Sequence, residues 1–442
     1  MRKVFVYSIL AALVFYSCKK TDRVFNESPD QRLNAVMAQD QKALMGAAYG
    51  WKGLIFPAGL SGGVVGFYFN FVDSNRVEMF SDFDSASSVT VNQSSWRLKA
   101  LQQPALLFDT YNYVHVLADP DASVNGGSYG SGLQSDFEFA IDTIKGDTIK
   151  LTGRFNGSKA YLIKATQQEK TDFYSKKVGL RTFSNIGKYL TYFKRMTVGG
   201  KTYEIQVNTD SRTITFTWID GNGNVQTFTT GYYYTASGIA LAPAFSDGTN
   251  TIGSFDNISW NGNTTTLSFT VNGNAASLVG AAAPIKPDTD APLRWLKYAS
   301  SRGGYWVSVY NFHVNGVDDA YGITKTANYY YSIYWPSYGT SGSTNYDLFA
   351  PIQLVGNSLS LSAGFAYKTP TTVTSDGRVV FSYLGYLGSF SNMSVSDSTA
   401  FANSRIAMSE TRGFYFVQTG ATSYDQVGAK DAKSWITWQW IN

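Results

Sequence analysis

Alternation of apolar and polar residues dominates most of the chain. Segments such as 146–162 and 202–216 carry hydrophobic side chains at every second position, which is typical of strands with one buried face. Short runs rich in Asp, Asn and Gly separate these segments, for example at 220–223 and 261–263, and such runs favour tight hairpin turns. The pattern therefore predicts a mainly β protein made of hairpins and meanders.

Two segments depart from this alternation and predict helices. The run from Ser28 to Gln31 has the spacing of a capping box with proline at the first helical position, which predicts a leading helix over about residues 29–48. A second capping pattern starts at Thr166 and predicts a short helical connector. Apolar residues spaced three and four apart follow that second pattern: Phe183, Ile186, Leu190 and Phe193.

A sequence repeat relates the first two thirds of the chain. FYFNFVDSNRVEMF (67–80) aligns with TYEIQVNTDSRTITF (202–216), which matches Arg76 with Arg212. GDTIKLTGRFNGSKAYL (146–162) aligns with GNTTTLSFTVNGNAASL (262–278). Each copy is a meander that can curl into a small antiparallel, lipocalin-like barrel or half-barrel and so hide its edges. We therefore expect one unit at 28–165, with the leading helix, and a second at 166–280, with the connector.

The remaining chain is a third region with a different composition. Residues 281–293 contain three prolines and no alternation, which predicts a linker. Residues 294–442 carry the most aromatic strand patterns, at 304–314, 328–335 and 434–441. They predict an aromatic-rich β-sandwich in which Ile436, Trp438 and Trp440 share one face.

The N-terminus has the pattern of an export signal. Arg2 and Lys3 precede a nearly apolar stretch of thirteen residues over 4–16, and Ser17 and Cys18 follow it. Cys18 is the only cysteine, so a disulfide within one chain is impossible. Its position resembles a bacterial lipobox, which predicts a signal peptide at 1–17, a lipidated Cys18 and a polar tether over 18–27. The lipid bilayer is then a partner, because two or more acyl chains together give stable membrane anchoring.

Composition excludes several classes of protein. Aromatic residues make up 16% of the chain and charged residues only 15%, whereas disordered chains have many charges and few aromatics. Beyond the N-terminus no apolar run is long enough for a membrane-spanning helix. A net charge of +4 without a basic cluster argues against nucleic-acid partners.

The residues that carry most enzyme chemistry are scarce. The chain has two histidines, His115 and His313, and no GxSxG motif, which argues against a serine hydrolase. We expect His115 to lie on a strand face with Tyr111 and Tyr113. Two separated histidines and one acylated cysteine cannot form a zinc site, and we expect neither a metal nor another cofactor. Paired carboxylates remain open, because 32 Asp and Glu residues could supply them.

The aromatic strands of the third region suggest binding. Exposed Trp and Tyr rings on a rigid sheet can stack on sugars or apolar ligands, whereas buried rings would only fill a core. In NYYYSIYWPSY (328–338) strict alternation puts rings on both faces, with Tyr329, Tyr331 and Trp335 opposite Tyr330 and Tyr334. The candidate ligand-stacking residues are Tyr330, Tyr334, Trp335, Tyr338 and Trp435.

Several long motifs resemble a family of Bacteroidetes lipoproteins known only as a domain of unknown function. They include YGWKGLIFP (49–57), SSWRLKALQQPALLFDTYNYVHVLADPD (94–121) and the capped helix SPDQRL (28–33). The resemblance implies an exported lipoprotein, often encoded beside an outer-membrane transporter and its substrate-binding lipoprotein. No catalytic residue is established for the family.

We therefore expect a non-enzymatic binding or accessory protein of an outer-membrane nutrient uptake system, with a polysaccharide as the expected ligand. The lipid-anchored protein would lie on either the periplasmic or the outer side of that membrane. A glycoside hydrolase with paired carboxylates and a purely structural envelope lipoprotein remain the alternatives.

Replacing Cys18 by Ser tests the anchor. The variant should leave the membrane fraction in a carbonate wash, because it has no thiol to acylate. Ser17→Ala, which keeps a small residue before Cys18, is the matched control and should stay membrane-bound. A Cys18→Ser protein that remains in the washed membranes would contradict lipidation.

Overall fold

A computed structural model describes residues 27–100, 102–369, 371–388 and 394–441. The signal peptide, Cys18 and most of the tether lie outside these residues. The leading helix, α1 (Pro29–Met45), begins as the sequence predicts, with Ser28 and Gln31 completing a reciprocal capping box. Its last turn buries Leu44, whose carbonyl accepts a hydrogen bond of 2.7 Å from the Trp51 indole. The helix is thereby attached to the first strand.

The first unit is a closed antiparallel barrel in which each strand pairs with the next and the last pairs with the first. Closure leaves no exposed strand edge. Large rings such as Phe67, Phe69 and Trp96 fill its core. Its strands are Trp51–Phe56 (β1), Val65–Phe71 (β2), Arg76–Ser81 (β3), Asn92–Lys99 (β4), Ala105–Phe108 (β5), Glu138–Lys145 (β6), Thr148–Gly153 (β7) and Lys159–Lys164 (β8).

A short helical excursion separates β5 from β6. It consists of α2 (Tyr113–Ala118) and α3 (Ala122–Asn125). The expectation that His115 lies on a strand is wrong, because Asn112 caps α2 by accepting a hydrogen bond from the Val114 amide at 2.9 Å. The cap stabilises a helical turn in a segment whose β-branched and aromatic residues favour a strand.

The connector follows the first barrel. Helix α4 (Gln167–Tyr174) has the capping box predicted at Thr166, completed by Glu169. Two 3₁₀ helices follow, Lys177–Leu180 and Thr182–Lys188. Of the predicted apolar stripe, Phe183 and Ile186 pack into the core of the second barrel, whereas Phe193 already begins a strand.

The second unit is also a closed barrel of eight strands, in the same sequential order as the first. The aligned motifs occupy equivalent places, since Asn156-Gly157 lies between β7 and β8 and Asn272-Gly273 between the last two strands here. Its strands are Phe193–Val198 (β9), Lys201–Asn208 (β10), Thr213–Ile219 (β11), Val225–Tyr234 (β12), Gly238–Ser246 (β13), Thr251–Asn261 (β14), Thr266–Val271 (β15) and Asn274–Ala281 (β16).

A buried ion pair joins the two barrels. Arg212, in the turn before β11, donates a hydrogen bond of 2.7 Å to the Asp82 carboxylate and one of 2.6 Å to its backbone carbonyl. Both side chains are almost fully buried. The backbones also come close there, because a Cβ on Gly63 would lie 1.8 Å from the carbonyl oxygen of Ser211. Only glycine fits at that position.

The third region contains one large antiparallel sheet of twelve strands. It follows α5 (Ala291–Ser300), and α6 (Val395–Met408) is inserted within it. Its strands are Trp306–Ser308 (β17), Phe312–Val314 (β18), Tyr329–Ser341 (β19), Thr344–Val355 (β20), Ser358–Ser360 (β21), Ala363–Lys368 (β22), Thr372–Val373 (β23), Arg378–Val380 (β24), Tyr383–Gly388 (β25), Phe414–Gly420 (β26), Ser423–Gly428 (β27) and Ser434–Gln439 (β28).

Trp295 of α5 is the centre of the aromatic core in this region. Its ring centroid lies between 4.6 and 6.4 Å from those of Trp306, Tyr334, Phe381, Phe416 and Trp438. As predicted, Ile436 and Trp438 share the buried face of β28. Every helix among the described residues is too short or too polar to cross a bilayer.

The Asp82–Arg212 ion pair predicts that two aligned arginines, Arg212 and Arg76, contribute very differently to stability. Arg212→Ala should lower the free energy of unfolding by about 3–5 kcal/mol, because it leaves Asp82 buried and uncompensated. Arg76→Ala, at the aligned and exposed position of the first barrel, should change it by less than about 0.5 kcal/mol. Urea denaturation followed by tryptophan fluorescence measures both, and equal effects would contradict this account of the interface.

Candidate functional site

Six aromatic rings form a continuous row on the outer face of the third-region sheet. Consecutive ring centroids are 5.0, 6.5, 5.1, 5.1 and 6.0 Å apart. We call this set the aromatic row, and its members in spatial order are Tyr330, Tyr331, Tyr305, Trp335, Tyr338 and Tyr346. Three of the five candidate stacking residues, Tyr330, Trp335 and Tyr338, are therefore brought together.

A bulge in β19 determines which rings reach this face. The pairing of β19 with β20 shifts between Tyr329 and Tyr331, so that Tyr330 is an extra residue. A bulge inverts the alternation of faces. Tyr329 consequently packs against the inner aromatic core, whereas Tyr331 lies in the outer cluster. The predicted grouping of Tyr329 with Tyr331 and Trp335 on one face is wrong for this reason.

A layer of buried aliphatic residues supports the row from beneath. Tyr305 and Trp335 pack against this outer cluster, and Tyr330 and Tyr338 are 50% and 37% exposed. Rings packed on one side and open on the other are held rigidly at little further entropy cost. The buried aliphatic members of this layer are Val307, Ile333, Leu348, Ala350 and Ile352, and Tyr331 of the row is buried together with them.

The row offers neutral hydrogen-bonding groups beside apolar ring faces. The hydroxyls of Tyr305 and Tyr331 lie 3.4 Å apart. Burial, together with the neighbouring Tyr305, raises the pKa of Tyr331 far above its ordinary value, so its hydroxyl stays protonated at neutral pH. The arrangement suits an uncharged ligand that has both apolar faces and hydroxyl groups.

Tyr334, another candidate stacking residue, is fully buried and cannot contact a ligand. The alternation of side chains along β19 places Tyr334 on the inner face, where its ring centroid lies 4.9 Å from that of Trp295. Its hydroxyl donates a 2.8 Å hydrogen bond to the buried carboxylate of Asp347. Burial and this carboxylate raise the pKa of Tyr334 well above its ordinary value, so the hydroxyl remains a donor.

Trp435, the fifth candidate, lies outside the aromatic row. As predicted, it faces away from Ile436 and Trp438. Its ring stacks on that of His313, with centroids 3.8 Å apart, and its centroid lies 5.6 Å from that of Tyr192 in the second barrel. It also lines a small pocket of about 220 Å³. Tyr192 donates a hydrogen bond of 2.7 Å to Asp425, so Trp435 belongs to the contact between the third region and the second barrel.

His115 has packing and hydrogen-bonding contacts within the first barrel. His115 stacks on Phe137 with centroids 4.4 Å apart, and its Nδ1 lies 3.1 Å from the Asn112 side-chain oxygen. Burial lowers the pKa of His115, so the ring is neutral at physiological pH. Within the described ranges, no group of three or more His, Cys, Asp or Glu side chains could hold a metal ion.

Tyr305, Tyr331 and Tyr346 are members of the row that the candidate set lacks. Tyr305 directly precedes Trp306, and an inward Trp306 implies an outward Tyr305 by simple alternation. Tyr346 enters the row because β20 pairs with β19. No local sequence pattern predicts the contact that this strand pairing creates.

A family model described as a domain of unknown function, DUF4302, matches residues 21–262, which is more than half of the chain. The chain belongs to the DUF4302 family. The resemblance found in the sequence is thereby confirmed at the level of a domain family of unknown function. The matched segment spans the first barrel and the second as far as β14, whereas the aromatic row lies beyond it.

No curated protein matches this DUF4302 chain. Among solved structures it is similar to the beta chain of DNA polymerase III from Streptococcus pneumoniae, at 11% identity over 91% of this chain and 97% of that one, with a TM-score of 0.12. It is also similar to the isotype 1 transferrin binding protein B of Neisseria meningitidis, at 9% identity over 88% of this chain and 74% of that one, with a TM-score of 0.13. TM-scores this low support no argument about fold or function.

The Asp347 contact predicts that Tyr334 contributes to stability. Tyr334→Phe should lower the free energy of unfolding by about 1.5–3 kcal/mol, because a buried carboxylate loses one donor. Thr371 and the Ser337 amide would still donate to it at 2.7 Å. Tyr330→Phe, on the exposed row, is the matched control and should have almost no effect. Urea denaturation of both variants measures the difference, and equal stabilities would contradict the assignment.

Proposed function

We propose that this DUF4302 protein is a non-enzymatic glycan-binding protein that serves an outer-membrane nutrient uptake system. The observation that supports the proposal best is the aromatic row. Apart from the buried Tyr331, its rings form an open, rigid and neutral surface rather than an enclosed site. Such a surface fits an extended polymer better than a small molecule, which is usually held in a concave pocket.

A polysaccharide matches the chemistry of the row. Each sugar ring has apolar C–H faces surrounded by hydroxyls, and tyrosine combines an apolar ring with a polar tip. Between Trp335 and Tyr346 the strands pass into a hairpin with exposed serine, threonine and asparagine residues at 340–345, which could bind further hydroxyls. Neither feature favours a charged or a purely apolar ligand.

The cellular setting follows from the N-terminal sequence and from the resemblance. Acylated Cys18 would attach the protein to the outer membrane, on a side that the sequence leaves open. An outer-membrane transporter and its substrate-binding lipoprotein would then be its partners. In that setting the row would retain polymer near the transporter.

The test is affinity electrophoresis of the chain from Lys19 onward in gels that contain soluble polysaccharides, after a glycan-array screen. Trp335→Ala should weaken binding roughly tenfold, which corresponds to about 1.4 kcal/mol and lies within the range of one aromatic contact. Tyr338→Ala should also weaken it. Tyr129→Ala removes a ring that is 92% exposed on the first barrel, and this matched control should bind normally.

Failure to retain any polysaccharide, or normal binding by Trp335→Ala, would overturn the proposal. Trp435→Ala should bind normally, because that ring lies outside the row. Release of reducing ends from a retained polysaccharide would instead favour the glycoside hydrolase alternative.

A further inference from the structure

A cleft of about 490 Å³ lies between the two barrels, far in sequence from the aromatic row. Its first wall is the outer surface of β1 and β2, including Lys52. Helix α4 forms the second wall with Glu169 and Asp172. The third wall comes from β12 and β14, including Tyr233 and Asp256. Clefts of this size between structural units commonly bind small molecules.

A bulge in β14 directs two consecutive polar residues toward this cleft. The pairing of β14 with β15 shifts between Asp256 and Ser259. Phe255 is buried inside the barrel, and Ile258 packs against the same core. Asp256 and Asn257 between them therefore both face outward and line the cleft. Bulges that re-aim side chains in this way are frequent beside binding sites.

The charges around the cleft are balanced except at Asp256. Lys52 pairs with Glu169 at 2.7 Å, and Lys177 pairs with Asp172 at 3.1 Å. Within the described part of the chain, the Asp256 carboxylate accepts hydrogen bonds from two hydroxyls, those of Ser237 at 2.8 Å and Ser254 at 2.5 Å. No lysine, arginine or histidine of the described residues pairs with it. One negative charge is therefore available to a ligand.

The neighbouring groups suit a ligand with several hydroxyls. Thr235, Asn257 and Gln168 line the cleft with neutral donors and acceptors. The Tyr233 ring is half-buried there and can support the apolar face of a ligand. The walls are fixed before binding, because Gly66 and Tyr234 both donate backbone hydrogen bonds to Asp82.

We infer that the cleft between the barrels binds a small hydroxylated primary amine of the amino-sugar class. The ligand ammonium would pair with Asp256, and its hydroxyls would bind the neutral side chains around it. This site lies in the barrels and the aromatic row lies in the third region. The inference therefore stands or falls independently of the proposed function.

Isothermal titration calorimetry of the chain from Lys19 onward, which retains every described residue, tests the inference. Glucosamine is the probe, and N-acetylglucosamine and glucose are its uncharged counterparts. Glucosamine should bind at least about tenfold more tightly than either, because hydrogen bonds between charged groups are the stronger ones. Absence of glucosamine binding, or equal binding of all three sugars, would overturn the inference.

Variants then locate the site. Asp256→Asn keeps the shape of the side chain and should weaken glucosamine binding roughly tenfold, whereas Asp256→Glu keeps the charge and should retain more of it. Asp142→Asn is the matched control, because Asp142 is an exposed carboxylate at a bulge of the first barrel that also accepts a hydroxyl hydrogen bond. Trp335→Ala should leave glucosamine binding unchanged. Equal affinities of Asp256→Asn and the unmodified chain would show that the cleft is not the site.

Discussion

The buried pair of Asp82 and Arg212 is the contact on which the arrangement of the two barrels depends. Burial alone would lower the pKa of Arg212, but the adjacent carboxylate raises it, so the guanidinium stays charged. Asp82 is also well satisfied, because the amides of Gly66 and Tyr234 donate to its carboxylate oxygens at 2.8 and 2.6 Å. The guanidinium of Arg181 donates to its carbonyl at 2.7 Å. A buried ion pair is tolerable only with such additional hydrogen bonds, and here they come from both barrels and from the connector.

This network also defines the cleft between the barrels. Gly66 and Tyr234 both line the cleft and both donate to Asp82, so one carboxylate connects the two walls. The ion pair of Lys52 with Glu169 joins β1 to helix α4 on the remaining side. A ligand in the cleft would meet walls that are already ordered, and preorganisation of this kind lowers the entropy cost of binding.

The sequence predicted the barrels because their determinants are local. Alternation, turn residues and the two capping boxes each act within a few residues, and the repeat gave the equivalence of Arg76 and Arg212. The sequence does not predict that Arg212 is buried whereas Arg76 is exposed. Arg212 is buried because Asp82 of the other barrel lies opposite it. The faces of Tyr329 and Tyr331 are also not predictable from the sequence. One extra residue between them places their rings on opposite faces of the sheet, and no residue pattern marks this bulge. The strand prediction for His115 is wrong because a single cap at Asn112 outweighs strand propensity.

The two faces of strand β19 have different roles. Inward side chains stabilise the third region, and outward side chains form part of its exposed surface. Its inward ring, Tyr334, packs with Trp295 and binds Asp347, and these contacts hold the strand in place. Its outward ring, Trp335, is supported by aliphatic side chains and adjoins Tyr305 and Tyr338. Because the inner contacts hold the strand, outer rings can be exchanged at a smaller cost in stability. The residues of the exposed surface can therefore vary while the core stays constant, since alternation along one strand assigns the two faces to neighbouring residues.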